Sequence, residues 1–70
     1  MTSQLTITLN GSPHFLEAPV SLVRLLESIG LAGKPVVVEF NETAVFPRDY
    51  AQTLVENGAR IELVTLAAGG

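Results

Sequence analysis

The residues that could do chemistry stand at the end of the sequence, Leu66-Ala67-Ala68-Gly69-Gly70. Read as a free C-terminus, Gly70 offers an α-carboxylate with a reference pKa of about 3.3–3.7, ionised at neutral pH. A carboxylate is a poor acyl donor until it is activated. ATP can activate it as an acyl adenylate, whose carbonyl carbon a nucleophile then attacks. Glycine suits this chemistry sterically, because it has no Cβ beside the carbonyl and reaches backbone angles closed to other residues. A Gly69-Gly70 tip can thread a narrow channel, and Ala67 and Ala68 keep the approach thin. Ordering such a tail costs conformational entropy. The affinity for an activating partner is therefore expected from a docking surface elsewhere.

Other chemistry finds little support. The sequence has no Cys, so there is neither a disulfide nor a thiolate metal site. His14 is the only histidine, which removes a histidine-based zinc site. It has no nucleophile near it in sequence and reads as a surface strand residue. Glu39 with Glu42, and Asp49 with Glu56, could be called carboxylate pairs, but they read first as solvated surface charges. Gly30 and Gly58 suit a cap and a turn, and no glycine-rich phosphate fingerprint exists. Neither a catalytic residue nor a metal ligand is expected in this chain.

The size and charge are consistent with a small partner-dependent domain. Seventy residues with 47% apolar side chains make one compact unit with some apolar surface to spare. The formal charge is −3, and Arg24, Lys34, Arg48 and Arg60 are spread along the chain. Without a basic patch, nucleic acid is not expected as a partner. No apolar run is long enough to span a bilayer, and Met1-Thr2-Ser3-Gln4 lacks the features of a signal peptide. A soluble cytoplasmic protein, monomeric when free and without membrane partners, is the expectation.

The elements that must hold the tail can be read in order. Leu5, Ile7 and Leu9 alternate with Thr6 and Thr8, a strand with one buried face. Asn10-Gly11 signals a hairpin, although Pro13 leaves open a longer turn over Asn10-Gly11-Ser12-Pro13. The return strand is predicted at His14–Glu17, on an edge because Pro13 cannot donate to a ladder. Ser21 is a candidate N-cap, and Leu22, Leu25, Leu26 and Ile29 form one helical face ending at Gly30. Val36-Val37-Val38-Glu39-Phe40 reads as a strand covered on both faces at its start. A turn at Asn41-Glu42 leads to a short strand, Thr43–Phe46. Pro47 opens a short helical turn to Gln52, and Thr53-Leu54-Val55 leads out of it. After a turn at Glu56–Ala59, the last strand, Arg60–Leu66, turns Ile61 and Leu63 inward and Val64 and Leu66 outward.

This order, ββαββ(short helix)β, is α+β. With the first and last strands side by side in the middle of a mixed sheet packed on one helix, it is the β-grasp, or ubiquitin-like, fold. Residues 1–66 would form the domain and 67–70 a flexible tail. Val64 and Leu66 lie on the face not taken by the helix. They are candidates for partner binding, as are Phe46 and Arg48, with Phe40 and Tyr50 expected nearby. For Arg48 the plainer alternative is a surface arginine that caps local carbonyls.

Pro47-Arg48-Asp49-Tyr50-Ala51, Leu54-Val55-Glu56-Asn57-Gly58, Ile61-Glu62-Leu63-Val64 and Gly69-Gly70 together resemble the ThiS family, the sulfur carriers of thiamine biosynthesis. The Asn10 turn, the Leu22, Leu25, Leu26 face and the Val36–Asn41 strand fit as well, so the resemblance covers nearly the whole chain. It implies that an E1-like adenylyltransferase uses MgATP to adenylate Gly70, that a sulfur donor protein converts the adenylate to a thiocarboxylate, and that thiazole synthase accepts the sulfur. The ATP and Mg²⁺ would belong to the partner, with no cofactor bound here and no enzymatic activity of its own. Two departures stand out. Asn57-Gly58-Ala59 replaces the family's usual Asp-Gly-Asp. The Asn41–Pro47 segment reads one residue longer than usual, as a bulge or a longer turn. The alternatives are another β-grasp sulfur carrier, of the molybdopterin synthase small-subunit type, or a ubiquitin-like protein modifier. An interaction module with an inert tail is a third. The absence of proline from Val64-Thr65-Leu66-Ala67-Ala68 favours the thiamine carrier over the molybdopterin type.

Overall fold

The computed structural model describes residues 4–66. Five strands form one mixed sheet in the order β2-β1-β7-β4-β5. They are β1 (Leu5–Leu9), β2 (Ser12–Leu16), β4 (Val36–Phe40), β5 (Thr43–Val45) and β7 (Arg60–Thr65). Only β1 and β7 run parallel. A single helix, α1 (Leu22–Ser28), covers one face, and a 3₁₀ helix (Pro47–Gln52) packs beside it. This is the expected β-grasp arrangement, with the last strand in the centre of the sheet and the first strand next to it.

Both hairpins close through two-residue turns. Asn10 and Gly11 have φ of 49° and 83°, and Asn41 and Glu42 have φ of 50° and 71°. Two successive positive φ values are the type I′ geometry, whose twist matches that of paired strands. The register Leu9↔Ser12 rules out the longer first turn. β4 and β5 pair without interruption from Phe40↔Thr43 to Val38↔Val45, so the Asn41–Pro47 segment holds no bulge. The return strand starts at Ser12, two residues before the predicted start, and includes Pro13 opposite Thr8. Thr8 donates its N–H to the Ala59 carbonyl at 2.8 Å, toward β7. The Thr8–Pro13 pair is thus a non-hydrogen-bonded one, and the missing proline N–H leaves no gap in the ladder.

The helix follows its sequence signals closely. Ser21 Oγ accepts from the Arg24 N–H at 3.2 Å, the N-cap contact. At the other end Leu31 N–H donates to the Leu26 carbonyl and Gly30 N–H to the Glu27 carbonyl. This Schellman pattern needs a left-handed residue at Gly30, whose φ is 80°. Leu22, Leu25 and Leu26 are buried against Ile7, Val38, Val55, Ala59, Ile61 and Leu63.

Two elements have no signature in the pattern. β3 (Val20–Ser21) and β6 (Leu54–Val55) pair antiparallel, Val20↔Val55 and Ser21↔Leu54, as a separate small sheet. The pairing ties the entrance of α1 to the exit of the 3₁₀ helix, and Leu22 N–H adds a bond to the Thr53 carbonyl. Val55 is thereby fully buried.

Candidate functional site

The last strand, β7, is the element that leads to Gly69-Gly70. It is held on both sides. On the β4 side five residue pairs run from Val36↔Thr65 to Phe40↔Ile61. On the β1 side the register pairs only Thr8↔Arg60 and Leu9↔Ile61, and asparagine side chains extend the contact at both ends. Asn57 Oδ1 accepts from Thr6 N–H at 2.9 Å before β7 begins. Asn10 Oδ1 accepts from Leu63 N–H at 2.7 Å after β1 has turned away. Asn41 does the same beside β4, taking the Arg60 N–H at 2.8 Å. Each asparagine stands in a turn and offers an acceptor where the neighbouring strand has run out. Asn57, the departure from the acidic turn, makes this bond with a neutral amide. The final described residue is still fixed, since Leu66 N–H donates to the Pro35 carbonyl at 2.9 Å. Ala67, Ala68, Gly69 and Gly70, the residues assigned to threading and modification, lie outside the described residues.

Strand alternation sorts the residues around this root. Ile61 and Leu63 face α1 and are buried, whereas Val64 and Leu66 are 59% and 53% exposed. Val64 stands opposite Val37 on β4. Val37 is 46% exposed, so this stretch of β4 is covered on one face only, not on both. The reason is architectural: the helical layer lies on one side, and among the described residues nothing packs on the other side of the sheet. Phe46 continues β5 in extended conformation (φ −90°, ψ 153°). Since Val38 pairs with Val45, alternation places Phe46 beside Val37 on the open face, 58% exposed. The Arg48 guanidinium lies 5.3 Å from the centre of the Phe46 ring and 3.8 Å from Asp49 Oδ2. Val64, Leu66, Phe46 and Arg48 thus border one surface.

Phe40 and Tyr50 do not join it. Phe40 pairs with Ile61 on the inner face, and both aromatic residues pack against the core. Alternation from Val38 puts residue 40 on the helix side, a parity that the expectation of proximity overlooked. Val37 was missed for the related reason that a run of three valines carries no alternation.

The carboxylates form no catalytic cluster among the described residues. Asp49 pairs with Arg48 and Glu27 with Arg24, both exposed contacts of small energetic weight. Glu39 stands opposite Glu62, and not with Glu42, which occupies the hairpin turn. His14 lies opposite Ile7 on the edge strand. Among the described residues no group of three His, Cys, Asp or Glu is placed to hold a metal. Nor is any helix there long and apolar enough to cross a membrane. An apolar groove lies between the end of α1, the 31–35 loop and the 3₁₀ helix. Its only titratable lining residues are Lys34 and Tyr50.

A single strand at the centre of the sheet, anchored to its last described residue and followed by Gly-Gly, is the arrangement to be compared with known proteins. The model of the ThiS family matches residues 7–70. The chain belongs to the ThiS family. The crystal structure of the thiamine biosynthesis protein ThiS from Geobacter metallireducens superposes with a TM-score of 0.81 at 25% identity, covering 94% of this chain and 100% of that one. A thiazole synthase of Magnetococcus marinus is 38% identical over 64 residues. That match takes in 91% of this ThiS-family chain but only 20% of the synthase. The chain therefore spans about a fifth of that relative's length. An uncharacterised ycf40 protein of Porphyra purpurea is 26% identical over 70 residues, covering 99% of its length.

Proposed function

We propose that this chain is a sulfur carrier of thiamine biosynthesis and not an enzyme in its own right. The observation that carries the reading is the ThiS-family match running through Gly70. A central strand fixed up to Leu66, which would present the tail at a defined place, supports it. In this reading a Gly70 carboxylate oxygen attacks the α-phosphorus of ATP on an E1-like adenylyltransferase. The bond to pyrophosphate breaks, and an acyl adenylate forms. A sulfide-level sulfur from a donor protein then attacks the carbonyl carbon, AMP leaves, and a thiocarboxylate remains. Thiazole synthase takes the sulfur from it. Relatives named thiazole synthase in which a matching stretch makes up a fifth of the protein support this choice of partner. ATP and Mg²⁺ are bound by the adenylyltransferase, and this chain supplies only the acyl group and the surface that presents it.

The test is intact mass after incubation with MgATP, the adenylyltransferase and a sulfur source, beside a Gly70-deleted control. A gain equal to one oxygen-for-sulfur exchange, mapped to Gly70 and absent from the control, is the expected result. No adenylate and no exchange with a demonstrably active enzyme would remove the carrier reading. Capture of Gly70 in an isopeptide bond instead would identify a protein modifier.

A further inference from the structure

Two turns of this domain share one dipeptide. Asn10-Gly11 joins β1 to β2, and Asn57-Gly58 precedes β7. Asparagine followed by glycine is open to an intramolecular reaction at its side-chain amide. The nitrogen of the next residue can reach Cγ, and with no Cβ on that residue little stands in the way. Both turns leave room: a Cβ built on Gly11 or Gly58 would meet nothing within 4 Å. All four residues are exposed to water.

The two turns differ in how the reacting groups are tied. At the second, both groups are bonded to one residue of β1. Asn57 Oδ1 accepts from the Thr6 N–H at 2.9 Å, and the Gly58 N–H donates to the Thr6 carbonyl at 2.9 Å. At the first, only the amide is tied. Asn10 Oδ1 accepts from the Leu63 N–H at 2.7 Å, whereas the Gly11 N–H donates to no acceptor among the described residues. The nitrogen that must lose its proton is therefore open to solvent at Gly11 and bonded at Gly58.

We propose that Asn10 is a site of spontaneous covalent modification in the folded chain, and that the two Thr6 bonds protect Asn57 from the same reaction. Hydroxide takes the proton of the Gly11 amide, and the nitrogen forms a bond to Asn10 Cγ. The Cγ–Nδ2 bond breaks, and ammonia leaves with a proton from water, which restores the hydroxide. A second water then opens the cyclic imide, and nothing is oxidised or reduced. Cleavage of the ring nitrogen's bond to Cγ leaves aspartate at position 10. Cleavage of its bond to the former main-chain carbonyl carbon leaves isoaspartate, whose main chain runs through Cγ. Either product carries one negative charge beyond the formal −3 of the chain.

The two products act differently on the sheet. Aspartate keeps an acceptor for the Leu63 N–H, now a charged one. Isoaspartate adds a methylene to the main chain of a two-residue turn, and the register of a hairpin depends on the length of its turn. That product breaks the tie between the first hairpin and β7. The proposal is independent of the carrier reading.

The test is incubation of the full chain in warm, mildly alkaline buffer, both native and in urea, followed by peptide mapping of amide-to-acid conversion at each asparagine. Protein isoaspartyl methyltransferase with labelled S-adenosylmethionine marks the isoaspartate. We expect the native chain to convert at position 10 and at least about fivefold more slowly at position 57, the factor that one further hydrogen bond of ordinary strength supplies. In urea, where neither tie exists, both sites should convert and the difference should disappear. Amide exchange of the Asn10→Asp variant should retain protection at Leu63, and the isoaspartate fraction should lose it. Equal native rates at the two sites, faster conversion at position 57, or no native conversion at position 10 while the unfolded chain converts would each overturn the proposal. So would a difference that persists in urea, which would assign it to local sequence and not to the Thr6 bonds. An isoaspartate fraction with Leu63 still protected would overturn the assigned effect on β7.

Discussion

Asn10 performs two separable tasks, and two substitutions distinguish them. Its backbone holds φ of 49° at the first position of a type I′ turn, and its Oδ1 accepts the Leu63 N–H across to β7. Asn10→Gly keeps the turn conformation and removes the acceptor. The net worth of such a bond is about 1 kcal/mol, and the extra freedom of glycine in the unfolded chain adds roughly 0.5 kcal/mol. Asn10→Ala loses the same acceptor and replaces a residue that tolerates the left-handed region with one that meets its full penalty, at roughly 1–2 kcal/mol more. The expected losses are thus about 1.5 kcal/mol for Gly and about 2–3 kcal/mol for Ala, from a domain whose whole stability is roughly 4–10 kcal/mol. Urea unfolding measures both. Amide hydrogen exchange then supplies the specific signal, because Leu63 should lose protection in both variants while Val38, in the same core, changes only with global stability. If Asn10→Gly unfolded at the wild-type midpoint with Leu63 still protected, the side-chain bond would have no part in fixing β7.

Other expectations follow from the same geometry. Leu63→Ala should cost about 2–4 kcal/mol in urea unfolding, whereas its exposed neighbour Val64→Ala should stay within about 0.5 kcal/mol of wild type; similar losses at the two sites would contradict the assigned strand faces. Leu66→Asp should weaken partner binding and leave the circular dichroism spectrum unchanged, and global unfolding would instead place Leu66 in the core. Glu42 holds φ of 71° without the freedom of glycine; Glu42→Gly is expected to raise the unfolding midpoint by the equivalent of about 0.5–1 kcal/mol, and a lower midpoint would show that the turn is not strained. Gly30→Ala should destabilise by about 1 kcal/mol, read as a lower thermal midpoint.

The position of β7 explains why so many of these tests converge on it. It is the central strand of the sheet, parallel to β1 on one side and antiparallel to β4 on the other. Its inner residues fill the core, and its outer residues form the middle of the open face. Substitutions on alternate residues of one strand therefore separate folding from docking.

The sequence by itself determined the fold class, the helix with both its caps and the inner face of β7, and it supplied the Gly-Gly on which the proposed chemistry rests. Each of these is local. Alternation, the Leu22, Leu25, Leu26 spacing, Ser21 before the helix and Gly30 after it all act within a few residues and need no distant partner. Tertiary structure alone decided the rest. The β3–β6 pair joins residues more than thirty positions apart, and two-residue strands are too short to display a period. Val37 was legible as a strand residue but not as an exposed one, because a valine run looks the same whether one face or both are covered. Asn10 and Asn57 signalled turns, yet their bonds to Leu63 and Thr6 depend on the strands that lie beside those turns. Glu39 and Glu62 became a pair only when β4 and β7 came into register. Register is set by which residues must be buried together, and that condition belongs to the assembled core and not to any short stretch of chain.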